Sequence, residues 1–301
     1  MRKAKTEIEV SAFKDSDLSS LVELYNSFAI EIPFSWAVTD EEFAAGALCG
    51  VMDSRVPFEA EEIHVARERG VIKGHVHLAR LVESDPTGPV GLIRFLMFPE
   101  ENRSVGEALL NEATLTLARS GCTSVEAWKI RCGYPFYVAK HGGCWEQSYI
   151  ANLFLSFGFE VFYRVLMFHR NLDFSFGPSR PPDGMQIEKT QEKLDHDLVH
   201  IYELRNGDDV LARTSWNRMT AWSWNDAALD YGYVYEVSTA EAHRRKGFGK
   251  ILMQEMVADM HDAGLVEASL HPPFHNIPAI GLYTKSRFRY IGTHVAFRKQ
   301  I

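Results

Sequence analysis

The chain of 301 residues is 46% hydrophobic and 24% charged, a balance that supports folded cores and excludes an intrinsically disordered chain. Its length exceeds a typical single core and suits two domains of roughly 150 residues each. A formal net charge of −8 with no basic stripe argues against a nucleic-acid partner, and no apolar run approaches the ~18 residues of a membrane span.

The N-terminal residues 1–7 lack the apolar core of a signal peptide. Cys49, Cys122, Cys132 and Cys144 show no CxxC spacing and read as reduced thiols. Together these features predict a cytoplasmic protein with no membrane partner. Residues 8–13 read as a strand, and Asp15 and Asp17 as a helix start before Leu18, Leu21, Val22 and Leu24. Thr39, followed by Asp40, Glu41 and Glu42, caps a second helix whose first turn favours acids. Runs at 63–68 and 75–82, divided by Gly70 and Gly74, form a hairpin. A strand at 91–98, a helix at 107–119 ended by Gly121, and a strand at 124–130 complete the first half.

Residues 177–184 hold three prolines and two glycines and break any regular element, so they separate two halves. The expected organisation is a domain at 1–172, a linker at 173–184 and a domain at 185–301. The second half is predicted as a strand at 185–189, a helix at 194–205, and strands around 210–224 and 231–239. A helix after Gly247, a strand at 267–271, a helix at 278–285 and a strand at 294–299 follow. Strands interleaved with helices in both halves indicate an α/β class.

The stretch from Val237 to Leu252 carries the most chemical information. A β-prone run, 231–239, leads into a basic turn, Arg244-x-x-Gly247-x-Gly249, and then a helix with Ile251, Leu252, Met256 and Met260 at helical spacing. The glycines permit a sharp turn and close backbone approach. The helix start offers unpaired N–H groups at its positive dipole end, flanked by Arg244, Arg245 and Lys246, which is an anion site suited to a pyrophosphate. Ile251 after Lys250 excludes a P-loop, and Leu252 excludes the third glycine of a dinucleotide fingerprint.

This turn resembles motif A of the GNAT superfamily of acetyl-CoA-dependent acyltransferases. Downstream, Asn276, Ala279, Leu282, Tyr283, Lys285 and Phe288 are similar to that family's second signature, with Arg287 standing where the family usually has glycine. A weaker copy lies in the N-terminal half. Arg103, Gly106 and Ala108 repeat the turn, and residues 153–159 align with 282–288. There Phe154 stands in the place of Tyr283, Gln147 in that of Asn276, and Glu107 adds a negative charge inside the turn. The resemblance implies two tandem GNAT-like domains, each a mixed twisted sheet flanked by helices, with the N-terminal one non-catalytic.

The resemblance further implies transfer of an acetyl group from acetyl-CoA, the cosubstrate, to a primary amine by direct attack on the thioester. Backbone groups of Arg245, Lys246, Gly247, Phe248 and Gly249, with Arg244 and Lys250 beside them, would take the pyrophosphate. The strand edge at Val237, Ser238 and Thr239, together with Asn276, would take the pantetheine arm. Tyr283 is the expected proton donor to the leaving thiolate. An ammonium with a pKa of about 10.4 needs a base, for which Glu236 is the first candidate and Asp226 and Asp230 the next.

The acceptor is a small-molecule or peptide amine, and a homodimer is compatible with the sequence. The alternative is a non-catalytic acyl-CoA-binding or regulatory module. The dense aromatic segment of Trp216, Trp222 and Trp224 suits either an acceptor pocket or an interface between the halves. His196 and His200, four apart on the predicted helix, lack a third ligand and read as solvated, so no metal site is expected.

Overall fold

A computed structural model describes residues 7–48, 57–82, 88–138, 142–173, 179–194 and 197–301. Cys49 and His196 therefore lie outside the described residues. The chain divides into two compact units. Unit 1 comprises the chain through Arg164 together with Thr293–Ile301, and unit 2 is Val165–Gly292.

In unit 1, β1 (Ile8–Ala12) is followed by α1 (Leu18–Ala29) and by α2 (Asp40–Phe43), where the Thr39 side chain accepts from Glu42 N. Strands β2 (Phe58–Glu68), β3 (Val71–Leu81) and β4 (Val90–Met97) then form an antiparallel meander with β1. Every residue of β4 is buried, which accounts for a sequence apolar at every position but Arg94. Helix α3 (Arg103–Arg119) leads to β5 (Ser124–Ala127), which pairs in parallel with β4 from Val90 to Ile93. The short β6 (Cys144–Trp145) and α4 (Tyr149–Ser156) follow.

The part of β7 (Glu160–Asn171) from Val165 onward belongs to unit 2, and β8 (Gln186–Leu194), β9 (Asp197–Asn206), β10 (Asp209–Arg218) and β11 (Tyr231–Thr239) form its antiparallel meander. Helix α5 (Phe248–Asp262) packs on β9, β10 and β11 and leads to β12 (Glu267–Leu270), parallel to β11. Helix α6 (Ile277–Lys285) and β13 (Arg289–Gln300) end the chain.

In each unit, one strand pairing comes from the other half of the sequence. In unit 1, β5 pairs antiparallel with the end of β13, Phe297 opposite Ala127. In unit 2, β12 pairs antiparallel with the end of β7, Leu270 opposite Phe168. Phe297 is fully buried and stacks on Phe154 at 5.0 Å, while Arg298 Nε donates to buried Glu126 at 3.2 Å. The two units adjoin in sequence at Arg164 and Val165, and the last nine residues belong to unit 1.

One predicted element has the other identity. Of residues 194–205, expected as a helix, the described ones lie in the paired strands β8 and β9, where Tyr202 and Leu204 enter the core of unit 2. Val199 and Ile201, on alternate positions, are buried too, so the apolar pattern lacks a clean period of two. In unit 1, α3 starts at Arg103, so the expected turn at 103–108 is itself helical. Cys122, Cys132 and Cys144 are buried free thiols. Among the described residues, no helix is long and apolar enough to cross a membrane.

Candidate active site

The site of unit 2 begins with an irregular strand. Ser215 of β10 faces Glu236, but the next pair is Trp216 with Val234, so Tyr235 is an extra, bulged residue in β11. Ladder pairing between β11 and β12 runs from Tyr231 to Tyr233 and stops, while β11 continues to Thr239. The two strands therefore part over the segment holding Glu236, Val237, Ser238 and Thr239. A parted pair of parallel strands leaves main-chain groups to recognise an extended amide-bearing ligand.

A short turn, Glu241–His243, carries the chain from β11 towards α5. Arg245 then adopts φ 65° and Gly247 φ 87°, both left-handed, before the helix opens at Phe248. Alternation of this kind turns successive N–H groups to one side, the geometry of an anion-binding nest. The N–H groups of Phe248 and Gly249 have no acceptor inside the helix, and the dipole adds positive potential. Arg244, Arg245, Lys246 and Lys250 are exposed, and none forms an ion pair with a carboxylate among the described residues. A Cβ on Gly249 would stand 3.2 Å from Leu282 Cδ2 and 3.6 Å from Thr239 Oγ1. The strand end, the helix start and α6 meet at that glycine.

Tyr283 lies next to Leu282 on α6. Its side chain is buried, with the rings of Phe168 and Phe288 each 6.4 Å away, and its hydroxyl makes no hydrogen bond among the described residues. Burial pushes its pKa up to about 12, so it stays a protonated donor through neutral and mildly alkaline pH. Glu236 is 42% exposed; its Oε1 accepts from Ser238 Oγ at 3.0 Å, and its Oε2 lies 3.4 Å from Arg213 Nε. Asn276 caps α6, its Oδ1 accepting from Ala279 N at 3.3 Å, which leaves its amide NH2 to donate elsewhere. Arg287, the departure from the glycine pattern, takes φ 63°, the conformation a glycine would adopt most easily there.

Residues 166–288 match the model of the acetyltransferase (GNAT) family. This segment is a GNAT domain. Its bounds fall just inside those of unit 2, Val165–Gly292. Over 130 residues the chain is 29% identical to a mycothiol acetyltransferase of Segniliparus rotundus, covering 42% of this chain and 48% of that protein. The chain thus spans about half the length of the curated relative it matches. A tandem GNAT protein from the clavulanic acid biosynthesis pathway shares the fold with a TM-score of 0.72 at 15% identity, over 98% of both chains. A GCN5-related glucosamine N-acetyltransferase region of a fungal multi-domain GH3 beta-N-acetylglucosaminidase superposes with a TM-score of 0.67 at 14% identity. That match covers 98% of this chain and 38% of that one. The whole chain has the tandem GNAT fold.

Against the GNAT domain of unit 2, unit 1 reads as the same framework with its phosphate turn closed. The bulge recurs: His77 faces Phe95 and Leu78 faces Ile93, with Arg94 as the extra residue of β4. Parallel pairing again stops early, at Ile93 and Ala127. The phosphate turn is gone, however, because α3 begins at Arg103. The Phe98 ring lies so close to Gly106 that a Cβ there would approach it to 2.5 Å. Counting back from the two turns, Ser104, Val105 and Leu109 replace Arg245, Lys246 and Lys250. Arg103, the remaining cation, is paired with Glu107 at 2.9 Å and donates to Ser156 at 2.8 Å. Phe95 takes the place of Glu236 and stacks 4.5 Å from Tyr134, while Phe154 replaces Tyr283. Ser148, not the aligned Gln147, caps α4 by accepting from Ala151 N.

Other candidates also find their places. Trp216 is buried under His200, the rings 4.2 Å apart, so that histidine sits on a strand and not on the expected helix. Trp222 packs edge-on against Tyr233, and Trp224 is 57% exposed. Asp226 and Asp230 begin and end the turn before β11. Sequence reasoning missed Arg213, which flanks Glu236 from β10, because its partner is set by strand register and not by spacing.

Proposed function

We propose that the GNAT domain transfers an acetyl group from acetyl-CoA to a primary amine, carried by a small molecule or a peptide, without a covalent enzyme intermediate. The open nest at Arg245 and Gly247, with its cations unengaged by carboxylates, carries this reading. The residues fit the donor: Gly247 has the left-handed backbone that a nest requires, and a Cβ there would meet nothing within 4 Å, so conformation is what its side-chain-free state serves. Arg244, Arg245, Lys246 and Lys250 hold the phosphate charges, and the main chain of Val237, Ser238 and Thr239 together with the Asn276 amide meets the pantetheine amides. Acetyl-CoA supplies the thioester carbonyl that an amine attacks.

Glu236 receives the proton that the ammonium must lose, directly or through water, with Arg213 beside its carboxylate. An N–H of the bulged strand near Val237 meets the charge that develops on the carbonyl oxygen, a contact whose loss costs roughly 3–4 kcal/mol. Tyr283 gives its proton to the departing sulfur. The similarity to a mycothiol acetyltransferase supports the reaction class. Unit 1 is non-catalytic in this reading, since it lacks counterparts of Glu236 and Tyr283.

The test is Tyr283→Phe, which removes one oxygen from a side chain whose hydroxyl bonds nothing else among the described residues. A kcat lower by about one to three decades, with acetyl-CoA affinity retained, is expected. An unchanged kcat removes Tyr283 from the chemistry.

A further inference from the structure

A cavity of about 640 Å³ lies in unit 1. It opens between the end of β4, the segment after β5, the end of α1 and the start of α4. Its walls are apolar and aromatic, contributed by Phe28, Ile32, Met97, Trp128, Tyr137 and Trp145. One of these wall residues carries a buried donor without a partner. Trp128 is 2% exposed and its buried Nε1–H bonds no group among the described residues, and Tyr137, 4% exposed, lines the same cavity with a phenol that can donate. A buried donor left without an acceptor costs about 1–3 kcal/mol, which a ligand oxygen would recover.

The rim has one sign of charge. Glu31, Glu100 and Glu101 line the cavity and are exposed, and none forms an ion pair among the described residues. No lysine, arginine or histidine of the described chain lines it. Burial, and then the charges of Glu100, the Cys144 thiol, Glu101 and Glu31, push the nearby Tyr149 phenol well above its ordinary range, so these carboxylates act on a common point. Tyr149 itself is engaged, donating to Phe98 O at 2.6 Å. Such a cavity repels the phosphates of coenzyme A and attracts a cation with an apolar body.

We propose that unit 1 is a second small-molecule site, taking an organic ammonium on an apolar, ring-sized body that also carries an oxygen acceptor. The ring fills the aromatic walls, the oxygen accepts from Trp128 Nε1–H and the Tyr137 hydroxyl, and the ammonium faces Glu31, Glu100 and Glu101. This site rests on unit 1 alone and is independent of the chemistry proposed for the GNAT domain.

The test titrates the full chain with dimethylated para-methoxyphenethylamine, following tryptophan emission and heat. Its tertiary nitrogen forms no stable amide, so turnover cannot imitate binding. Para-methoxyphenylpropanoate, of matched shape and opposite charge, is the control. The ammonium is expected to bind at least about tenfold more tightly than the carboxylate, and more weakly as salt is raised. Replacing both rim glutamates, Glu100→Gln with Glu101→Gln, is expected to weaken it about fivefold, and Trp128→Phe by a similar factor. The glutamine pair changes only exposed side chains, so it remains informative should Trp128→Phe lower the melting temperature. Equal affinity for the two probes, no ammonium binding at millimolar concentration, insensitivity to the glutamine pair, or displacement by acetyl-CoA in Gly247→Ala protein would each overturn the proposal.

Discussion

The two units keep one framework and treat the same turn in opposite ways. In unit 2, Arg245 and Gly247 bend the chain into a left-handed nest before α5 begins, and four cations stand around it. In unit 1, the Phe98 ring presses on Gly106, the helix extends back to Arg103, and the cations become Ser104, Val105 and Leu109. The bulge and the parted strands persist in both. An anion site thus depends on a few turn residues rather than on the fold.

The comparison breaks most completely at the crossing strands. Deleting residues 293–301 removes from unit 1 the strand beside β5, the buried Phe297 and the Arg298 partner of Glu126. Burial of such a ring alone contributes about 2–3 kcal/mol of a total stability near 5–15 kcal/mol. Hydrogen exchange should show unit 1 unprotected while β10 and β11 of unit 2 keep their protection. Retained protection at residues 124–127 would contradict this.

A single methyl group sharpens the contrast between the turns. Gly106→Ala places a Cβ 2.5 Å from the Phe98 ring and should destabilise unit 1 by about 1–3 kcal/mol, with acetyl-CoA affinity unchanged. Gly247→Ala meets no atom within 4 Å but must hold φ near 87°, which costs an L-residue about 1–2 kcal/mol. It should weaken acetyl-CoA binding roughly tenfold. Calorimetry on both variants, beside their melting curves, separates the effects.

A smaller difference follows from acid. Burial lowers His75 to about 3, His77 to about 4 and His294 to about 3, and all three belong to unit 1. Each folded-state value lies below the unfolded value of 6.5, so the neutral ring is what the fold holds. Their contribution to stability is complete above 6.5 and is lost as pH falls through about 4 and then about 3. Exchange measured along an acid series should find unit 1 opening before unit 2, and simultaneous opening would exclude these histidines as the cause.

The chemistry-bearing segment was legible because local signals agreed there. The run 231–239 is a strand with those same limits, Gly247 ends the turn, and Asn276 and Pro278 open α6. Residues 197–206 misled, since Val199 and Ile201 are buried opposite Tyr202 and Leu204, and a strand apolar on both faces loses its period. The crossing of β7 and β13 is a matter of pairing between segments far apart in sequence, which no local pattern encodes. The closed turn of unit 1 was equally hidden, because Arg103, Gly106 and Ala108 satisfy the motif while Phe98, five residues upstream of Arg103, decides the geometry.

The most direct measurement is a calorimetric titration of the full chain with acetyl-CoA, read for stoichiometry, on the native protein and on Gly247→Ala. One site per chain, weakened by Gly247→Ala, is expected if the nest of unit 2 holds the cosubstrate and the filled turn of unit 1 does not. Two sites per chain, or one site indifferent to Gly247, would contradict that division of labour.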